Sequence, residues 1–242
     1  MSTNNIDLDA PPVFGTQSLR LPDELRQPLK QHMTELREFY VKHHWGASVG
    51  FGQRPALVVI DLAPWWTDAS IYPRGTNLDS VVEATCRVLE PARAAKIPIF
   101  FSTLAQDPGE PESPFDRKTG RIHRKIPSRE VKMLEPDPRL NHRPNEKIIR
   151  KPYASCFKGT NLHENLASLG VDTLIVTGVS TSHCVYATCR DAVDSYRVIV
   201  PREAVGERCE LMHEVNLLDI ELELADVLEV EQVAEYLKSL RP

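Results

Sequence analysis

Short runs of nearly continuous apolar residues alternate along this chain with segments whose apolar residues recur every three or four positions. The apolar runs, whose β-branched composition predicts buried strands, lie at 54–62, 97–103, 146–151, 171–178 and 196–201. The segments whose spacing predicts helices lie at 23–44, 77–95, 161–170 and 185–196, and a short strand and a terminal helix follow. Strands that alternate with helices predict a parallel sheet with helices on both faces.

The length of 242 residues suits one large α/β domain with a short addition before it. We assign residues 1–45 to an N-terminal arm and an amphipathic helix, and residues 46–242 to the main domain. The segment from Leu104 to about Asn145 is rich in Pro, Asp, Glu and Arg and has no sustained periodicity. Irregular segments of this length inside a compact domain are often functional.

Charge and hydropathy exclude two classes of partner. The formal net charge is −5, and the Lys and Arg residues are scattered rather than gathered into stripes, so we expect no nucleic acid partner. No apolar run approaches the roughly 18 residues of a membrane span, and the opening MSTNNIDLDAPPVFG lacks the features of a signal peptide. The sequence therefore predicts a cytoplasmic protein with no membrane partner.

The cysteines and glycines disfavour several kinds of site. The five cysteines are an odd number without paired spacing, which predicts free thiols rather than disulfides or a zinc site: Cys86, Cys156, Cys184, Cys189 and Cys209. Neither G-x-G-x-x-G nor G-x-x-x-x-G-K-S/T follows a predicted strand, so a nucleotide cofactor is disfavoured. We predict no cofactor.

Cys184 lies where a strand meets a helix, in the stretch TGVSTSHCV. Three hydroxyl residues before it are candidate N-caps. Because the N-terminus of a helix favours negative charge, this position predicts a thiol of lowered pKa, suited to nucleophilic attack. A small buried apolar residue is the alternative interpretation of the same cysteine.

Three chemically active residues stand at or just beyond the ends of predicted strands. Asp61 follows LVVI, Lys151 ends the run KIIRK, and Cys184 follows LIVTG. Ligands of open parallel sheets bind beyond the carboxyl ends of the strands. An acid, a cation and a thiol gathered there could carry out covalent attack on an amide carbonyl.

Several motifs around these three residues resemble the isochorismatase-like cysteine hydrolases. The resemblance covers about residues 50–230 and rests, in chain order, on GFGQRPALVVIDL, KPYASCFKGTNL, TGVSTSHCV, VPREAVGER and MHEVNLLDI. Within that family the chain looks most like the branch that contains N-carbamoylsarcosine amidohydrolase and maleamate amidohydrolase. The catalytic Asp, Lys and Cys of the family then correspond to Asp61, Lys151 and Cys184.

The resemblance implies a three-layer α/β/α, Rossmann-like fold with a six-stranded parallel sheet, and a homodimer or homotetramer. It also implies a cis peptide bond between Val179 and Ser180, which directs the backbone N–H groups of Ser180 and Cys184 toward an oxyanion. Nicotinamidases of the family bind a metal through Asp-x-His and a further His. Since LAPWWTDASIYPRG after Asp61 has no histidine, we predict no metal.

Three further residues are candidates for substrate binding, each with a structural alternative. Trp66 could wall the substrate site or pack against the helix that enters the domain. His183 could donate a hydrogen bond to substrate or serve as a cap beside the nucleophile. Arg208 could bind a substrate carboxylate, or form a surface salt bridge with Glu203 or Glu207.

These observations favour a cysteine-dependent amidohydrolase that cleaves a C–N bond of a small linear amide or carbamoyl compound and releases ammonia. One alternative is hydrolysis of an enol ether, as in true isochorismatases, which need the acid but no thiol. The other is a catalytically silent binding protein on the same fold.

Overall fold

A computed structural model describes residues 19–68, 75–105, 114–118 and 128–240. Most of the predicted N-terminal arm and much of the irregular 104–145 segment lie outside these ranges. Within them, one sheet contains seven parallel strands: β1 (Pro55–Ile60), β2 (Ile99–Leu104), β3 (Lys147–Lys151), β4 (Thr173–Val179), β5 (Arg197–Pro201), β6 (Val205–Gly206) and β7 (Asp226–Leu228).

The sheet has one more strand than the six that we expected. Six strands form a continuous row in the order β3-β2-β1-β4-β5-β7, and β6 pairs with the end of β4 outside that row. β6 has only two residues, which is too short for any hydrophobic periodicity to reveal it. The parallel sheet itself and its helices on both faces are confirmed.

The helices that follow or join these strands agree with the predicted alternation. They are α1 (Asp23–Lys42), α2 (Pro64–Thr67), α3 (Asp79–Ala94), α4 (Pro114–Lys118), α5 (Leu162–Ser168), α6 (Tyr186–Ala192), α7 (Glu210–Glu223) and α8 (Val230–Ser239). A π-helical turn, Thr181–Val185, connects β4 to α6. Among the described helices, none combines the length and the apolar composition needed to cross a membrane.

Alternate residues of the central strand are buried against opposite layers. Val58 and Ile60 belong to a core with α5, α6 and α7, whereas Leu57 and Val59 belong to a core with α3 and α8. All four side chains are fully buried. Burial of each such side chain stabilises the fold by about 1.5–3 kcal/mol, so β1 is held firmly between the two layers.

The N-terminal helix α1 lies against α7. Met33 is the buried residue of α1, and two ion pairs flank it: Arg26 with Glu210 at 2.9 Å and Arg37 with Glu221 at 2.7 Å. The helix predicted over 23–44 is therefore present and contacts the main domain.

The strand order places a crevice at the centre of the sheet. From β1 the chain proceeds to β2 and β3 on one side, while β4, β5 and β7 lie on the other. The direction of winding thus reverses between β1 and β4, which is where parallel sheets of this kind bind ligands.

Candidate active site

The ends of β1, β3 and β4 bring Asp61, Lys151 and Cys184 together. Lys151 Nζ lies 2.7 Å from Asp61 Oδ2 and 3.3 Å from Cys184 Sγ. The exposed fractions of the three residues are 2% for Asp61, 0% for Lys151 and 8% for Cys184. The structure therefore places an acid, a cation and a thiol in contact at the crevice, with almost no access to bulk water.

Two features hold the Asp61 carboxylate in place. Its backbone has φ +53°, a left-handed conformation that Asp tolerates better than most residues, and its N–H donates to Ser102 O at 3.1 Å. The Ser102 hydroxyl donates to Asp61 Oδ1 at 2.8 Å, while Oδ2 faces Lys151. The sequence analysis did not identify Ser102, which lies inside the apolar run that forms β2.

Besides the Asp61 carboxylate and the Cys184 thiol, Lys151 Nζ contacts a backbone carbonyl, Tyr153 O, at 3.3 Å. Burial alone would lower the pKa of Lys151, but the charge of Asp61 and the thiols of Cys184 and Cys156 outweigh burial and raise that pKa. Lys151 consequently stays protonated across the working range of an enzyme. A fully buried ammonium is tolerated here because a carboxylate neutralises it at hydrogen-bond distance.

The pKa of the Cys184 thiol differs from the one that the sequence predicts. Burial raises the pKa of Cys184 to about 12, the Lys151 ammonium opposes that rise, and the Asp61 carboxylate adds to it. The expected lowering by a helix N-terminus is wrong, because Cys184 lies within the π-helical turn and desolvation dominates. The resting thiol is protonated and needs a base before it can attack.

The turn before Cys184 passes close to β1. The peptide bond between Val179 and Ser180 is cis, which is the bond at which the family resemblance placed it. Gly178 has φ +110°, and a Cβ at this position would overlap the backbone of Ile60. Only glycine therefore lets the end of β4 approach β1 closely enough to bring Cys184 beside Asp61.

The three candidate substrate-binding residues lie in different surroundings. Trp66 is half-buried and packs against the core on the α3 side of the sheet. His183 is half-buried beside Cys184, and burial followed by the charges of Lys151 and Arg208 lowers its pKa, so its imidazole is neutral at neutral pH. Arg208 Nε lies 3.9 Å from Glu207 Oε1.

Cys156 and Glu207 are two further buried groups near the site that the sequence analysis did not assign to it. Cys156 follows β3, and its thiol lies close enough to Lys151 and Ser102 for both to lower its pKa against the larger effect of burial, which raises it. The Glu207 side chain is fully buried next to the turn that carries Cys184. All five cysteines are free thiols, as predicted.

Within the described part of the chain, no three His, Cys, Asp or Glu side chains gather in a way that could hold a metal ion.

Known proteins are similar to this chain in sequence and in fold. Residues 55–232 match the Isochorismatase domain family. N-carbamoylsarcosine amidase from an Arthrobacter species is 34% identical over 197 residues, which cover 79% of this chain and 74% of the relative. Maleamate amidohydrolase from Pseudomonas putida is 33% identical over 203 residues, covering 81% and 92%. A cysteine hydrolase structure from Pseudomonas syringae has a TM-score of 0.71 at 21% identity and covers 78% and 94%.

Proposed function

Because the chain belongs to the isochorismatase family, we propose that it is an amidohydrolase that uses Cys184 to cleave a C–N bond of a small linear amide or carbamoyl compound. One observation carries the proposal: Lys151 Nζ lies within 3.3 Å of both the Asp61 carboxylate and the Cys184 thiol, in a site closed to bulk water. Two relatives, one named N-carbamoylsarcosine amidase and the other maleamate amidohydrolase, support it.

In the first half of the reaction, Asp61 acts as the base that the protonated thiol requires. The Cys184 sulfur attacks the carbonyl carbon while its proton moves to the Asp61 carboxylate. The carbonyl oxygen becomes an oxyanion, which the backbone N–H groups of Ser180 and Cys184 stabilise. Lys151 keeps its charge throughout and compensates for the negative charge that builds up on the sulfur.

In the second half, the tetrahedral intermediate collapses and the C–N bond breaks. The leaving nitrogen takes the proton from Asp61 and departs as ammonia, and the acyl group stays on the sulfur as a thioester. Water then attacks the thioester and gives a proton to Asp61. The S–C bond breaks, the proton returns to Cys184, and the acid product leaves.

The expected substrate class rests on the charge of Arg208. Arg208 lies on the segment just after β6, near the turn that carries Cys184, and a guanidinium binds carboxylates well. We therefore expect the preferred amide to carry an anionic group. His183, neutral beside the nucleophile, donates to or accepts from the substrate.

An ammonia-release assay tests the function. N-carbamoylsarcosine, maleamate, ureidoacrylate and biuret are compared as substrates, and all but biuret carry a carboxylate. We expect turnover of at least one carboxylate compound, with biuret slower, and we expect Arg208→Ala to raise KM for the carboxylate compounds more than for biuret. Ammonia release from none of the four would contradict this substrate class.

A thiol variant separates the proposal from its alternatives. Cys184→Ser should end amide turnover, and Cys189→Ser, one turn further along and fully buried, is the matched control that should keep it. Hydrolysis of isochorismate that survives in Cys184→Ser would instead support an enol ether hydrolase. No catalysis by the wild-type chain on any of these compounds would support a silent binding protein.

A further inference from the structure

The Glu207 carboxylate accepts hydrogen bonds from two separate segments. Its Oε2 accepts from the Ser182 backbone N–H at 3.0 Å and from the Ser182 hydroxyl at 2.5 Å. Its Oε1 accepts from the Arg208 backbone N–H at 2.8 Å, and Arg208 Nε lies 3.9 Å away. A fully buried carboxylate is costly unless such donors surround it, so these contacts fix both segments relative to one another.

The two segments carry the groups that the reaction needs. Ser182 lies between Ser180, whose N–H we assign to the oxyanion, and Cys184. Arg208 lies on the other segment. The segments are already paired upstream, where β6 lies alongside the end of β4 and the Thr181 hydroxyl donates to the Gly206 carbonyl at 3.0 Å. The hydrogen bonds of Glu207 extend this pairing to Ser182, in the turn that carries Cys184, and to the backbone of Arg208.

We propose that Glu207 is a positioning residue that sets the distance between Cys184 and Arg208, and thereby selects amides whose anionic group lies at a fixed distance from the scissile carbonyl. This inference rests on the proposed function, which assigns the nucleophile to Cys184 and the anion site to Arg208. In this proposal Glu207 touches no substrate and acts through its hydrogen bonds to the backbone and hydroxyl of Ser182 and to the backbone of Arg208.

A purely electrostatic role of Glu207 and a positioning role predict opposite changes in anion binding when Glu207 is replaced. Its negative charge beside Arg208 opposes the binding of an anion, so loss of that charge should strengthen anion binding if only charge matters. If Glu207 instead holds Arg208 in place, loss of its hydrogen bonds should weaken anion binding. The sign of the change therefore distinguishes positioning from charge.

Alkylation of Cys184 measures this sign without any enzymatic turnover. The probes are bromoacetate, 3-bromopropionate and 4-bromobutyrate, each paired with its neutral primary amide, and peptide mass spectrometry gives the rate at Cys184. The ratio of acid rate to amide rate reports anion attraction at each chain length, because the thiolate fraction cancels. We expect one chain length to be favoured in the wild type and Arg208→Ala to abolish that preference.

Glu207→Gln keeps the volume of the side chain but replaces one accepting oxygen with an N–H donor, and in either orientation of the amide that donor faces the N–H of Ser182 or of Arg208. We expect the preferred acid-to-amide ratio to fall about threefold to tenfold, the scale of one lost hydrogen bond in a buried site. Glu203→Gln is the matched control, because it removes the same charge from the same segment while its carboxylate contacts Val230 N instead. That control should keep the wild-type ratio.

Several results would overturn the inference. They are a ratio that rises or stays constant in Glu207→Gln, an equal fall in Glu203→Gln, or a ratio that Arg208→Ala leaves unchanged. If Glu207→Gln does not fold, Ser182→Ala decides instead, since it keeps the carboxylate and should shift the ratio in the same direction by less. Failure of amide hydrolysis itself appears only in the ammonia assay, so the two proposals fail separately.

Discussion

Replacement of Asp61 by Asn should change two properties of Cys184 in opposite directions. Turnover should fall because the thiol loses the base that takes its proton. The reaction of the thiol with iodoacetamide should become faster, because the Asp61 carboxylate is one of the groups that raise the pKa of Cys184 and the Lys151 ammonium that lowers it remains. A residue that merely supported the fold would not produce this divergence.

The magnitudes follow from the thiol pKa of about 12. At about pH 8, roughly one thiol in 10⁴ is then ionised in the wild type, and each unit by which the pKa falls multiplies that fraction by about ten. Loss of a positioned base lowers kcat by roughly 10² to 10⁴. Because Asp61 supplies the base, wild-type kcat/KM should not rise tenfold per pH unit between neutral and mildly alkaline pH.

The assay compares steady-state ammonia release with the rate of carbamidomethylation at Cys184 in the same preparations. Local unfolding could also accelerate alkylation, since breaking a buried ion pair costs about 3–5 kcal/mol. Cys189 is the internal control, because it is fully buried, Asp61 is not among the groups that shift its pKa, and it would be labelled together with Cys184 only if the domain opened. Parallel loss of turnover and alkylation, or a loss of turnover of about tenfold or less, would refute the role of Asp61 as base.

Five other expectations can be measured with standard methods. Cys184→Ala should show no multiple turnover while its circular dichroism stays that of the wild type, and any sustained ammonia release would contradict the covalent mechanism. Lys151→Met should abolish turnover and lower Tm, with thermal unfolding as the readout, because it leaves a carboxylate buried without its partner. Arg93→Met should lower Tm by roughly 6–20 °C with kcat unchanged, since its pair with Glu146 is buried, whereas Arg150→Met removes an exposed pair and should change Tm little. A chelator should leave activity unchanged, and activity that a chelator removes and added zinc restores would contradict this. Light scattering should give the mass of a dimer or tetramer, and a fully active 27.3 kDa monomer would contradict that expectation.

The strands and the residues at their ends could be predicted because their signals are local. A strand buried on both faces must be apolar along its whole length, so an acid immediately after LVVI or a lysine at the end of KIIRK stands out in the sequence. The parallel arrangement then brings such residues to one edge of the sheet without further information. Asp61, Lys151 and Cys184 could therefore be grouped from the sequence alone.

The residues that support this group could not be found in the same way. Ser102 lies among apolar neighbours in β2, and its contact with Asp61 depends on the register of β1 against β2, in which Ile60 pairs with Ser102. In the sequence Glu207 is one of several charged residues in a short stretch, so nothing marks it as buried. Its burial depends on β6, which is too short to have a periodic pattern. Both contacts come from pairing between strands distant in sequence.

The thiol pKa shows where local reasoning about chemistry fails. A position at the start of a helix predicts a lowered pKa for Cys184, but the same packing that places the thiol there also removes it from water. Burial then favours the neutral thiol, and the neighbouring carboxylate favours it further. A site that keeps its nucleophile protonated at rest protects it from adventitious alkylation and oxidation, which act on the thiolate. In the proposed mechanism the proton then leaves only as the carbonyl is attacked, and the Asp61 side chain, held by Ser102 and Lys151, is the group that takes it.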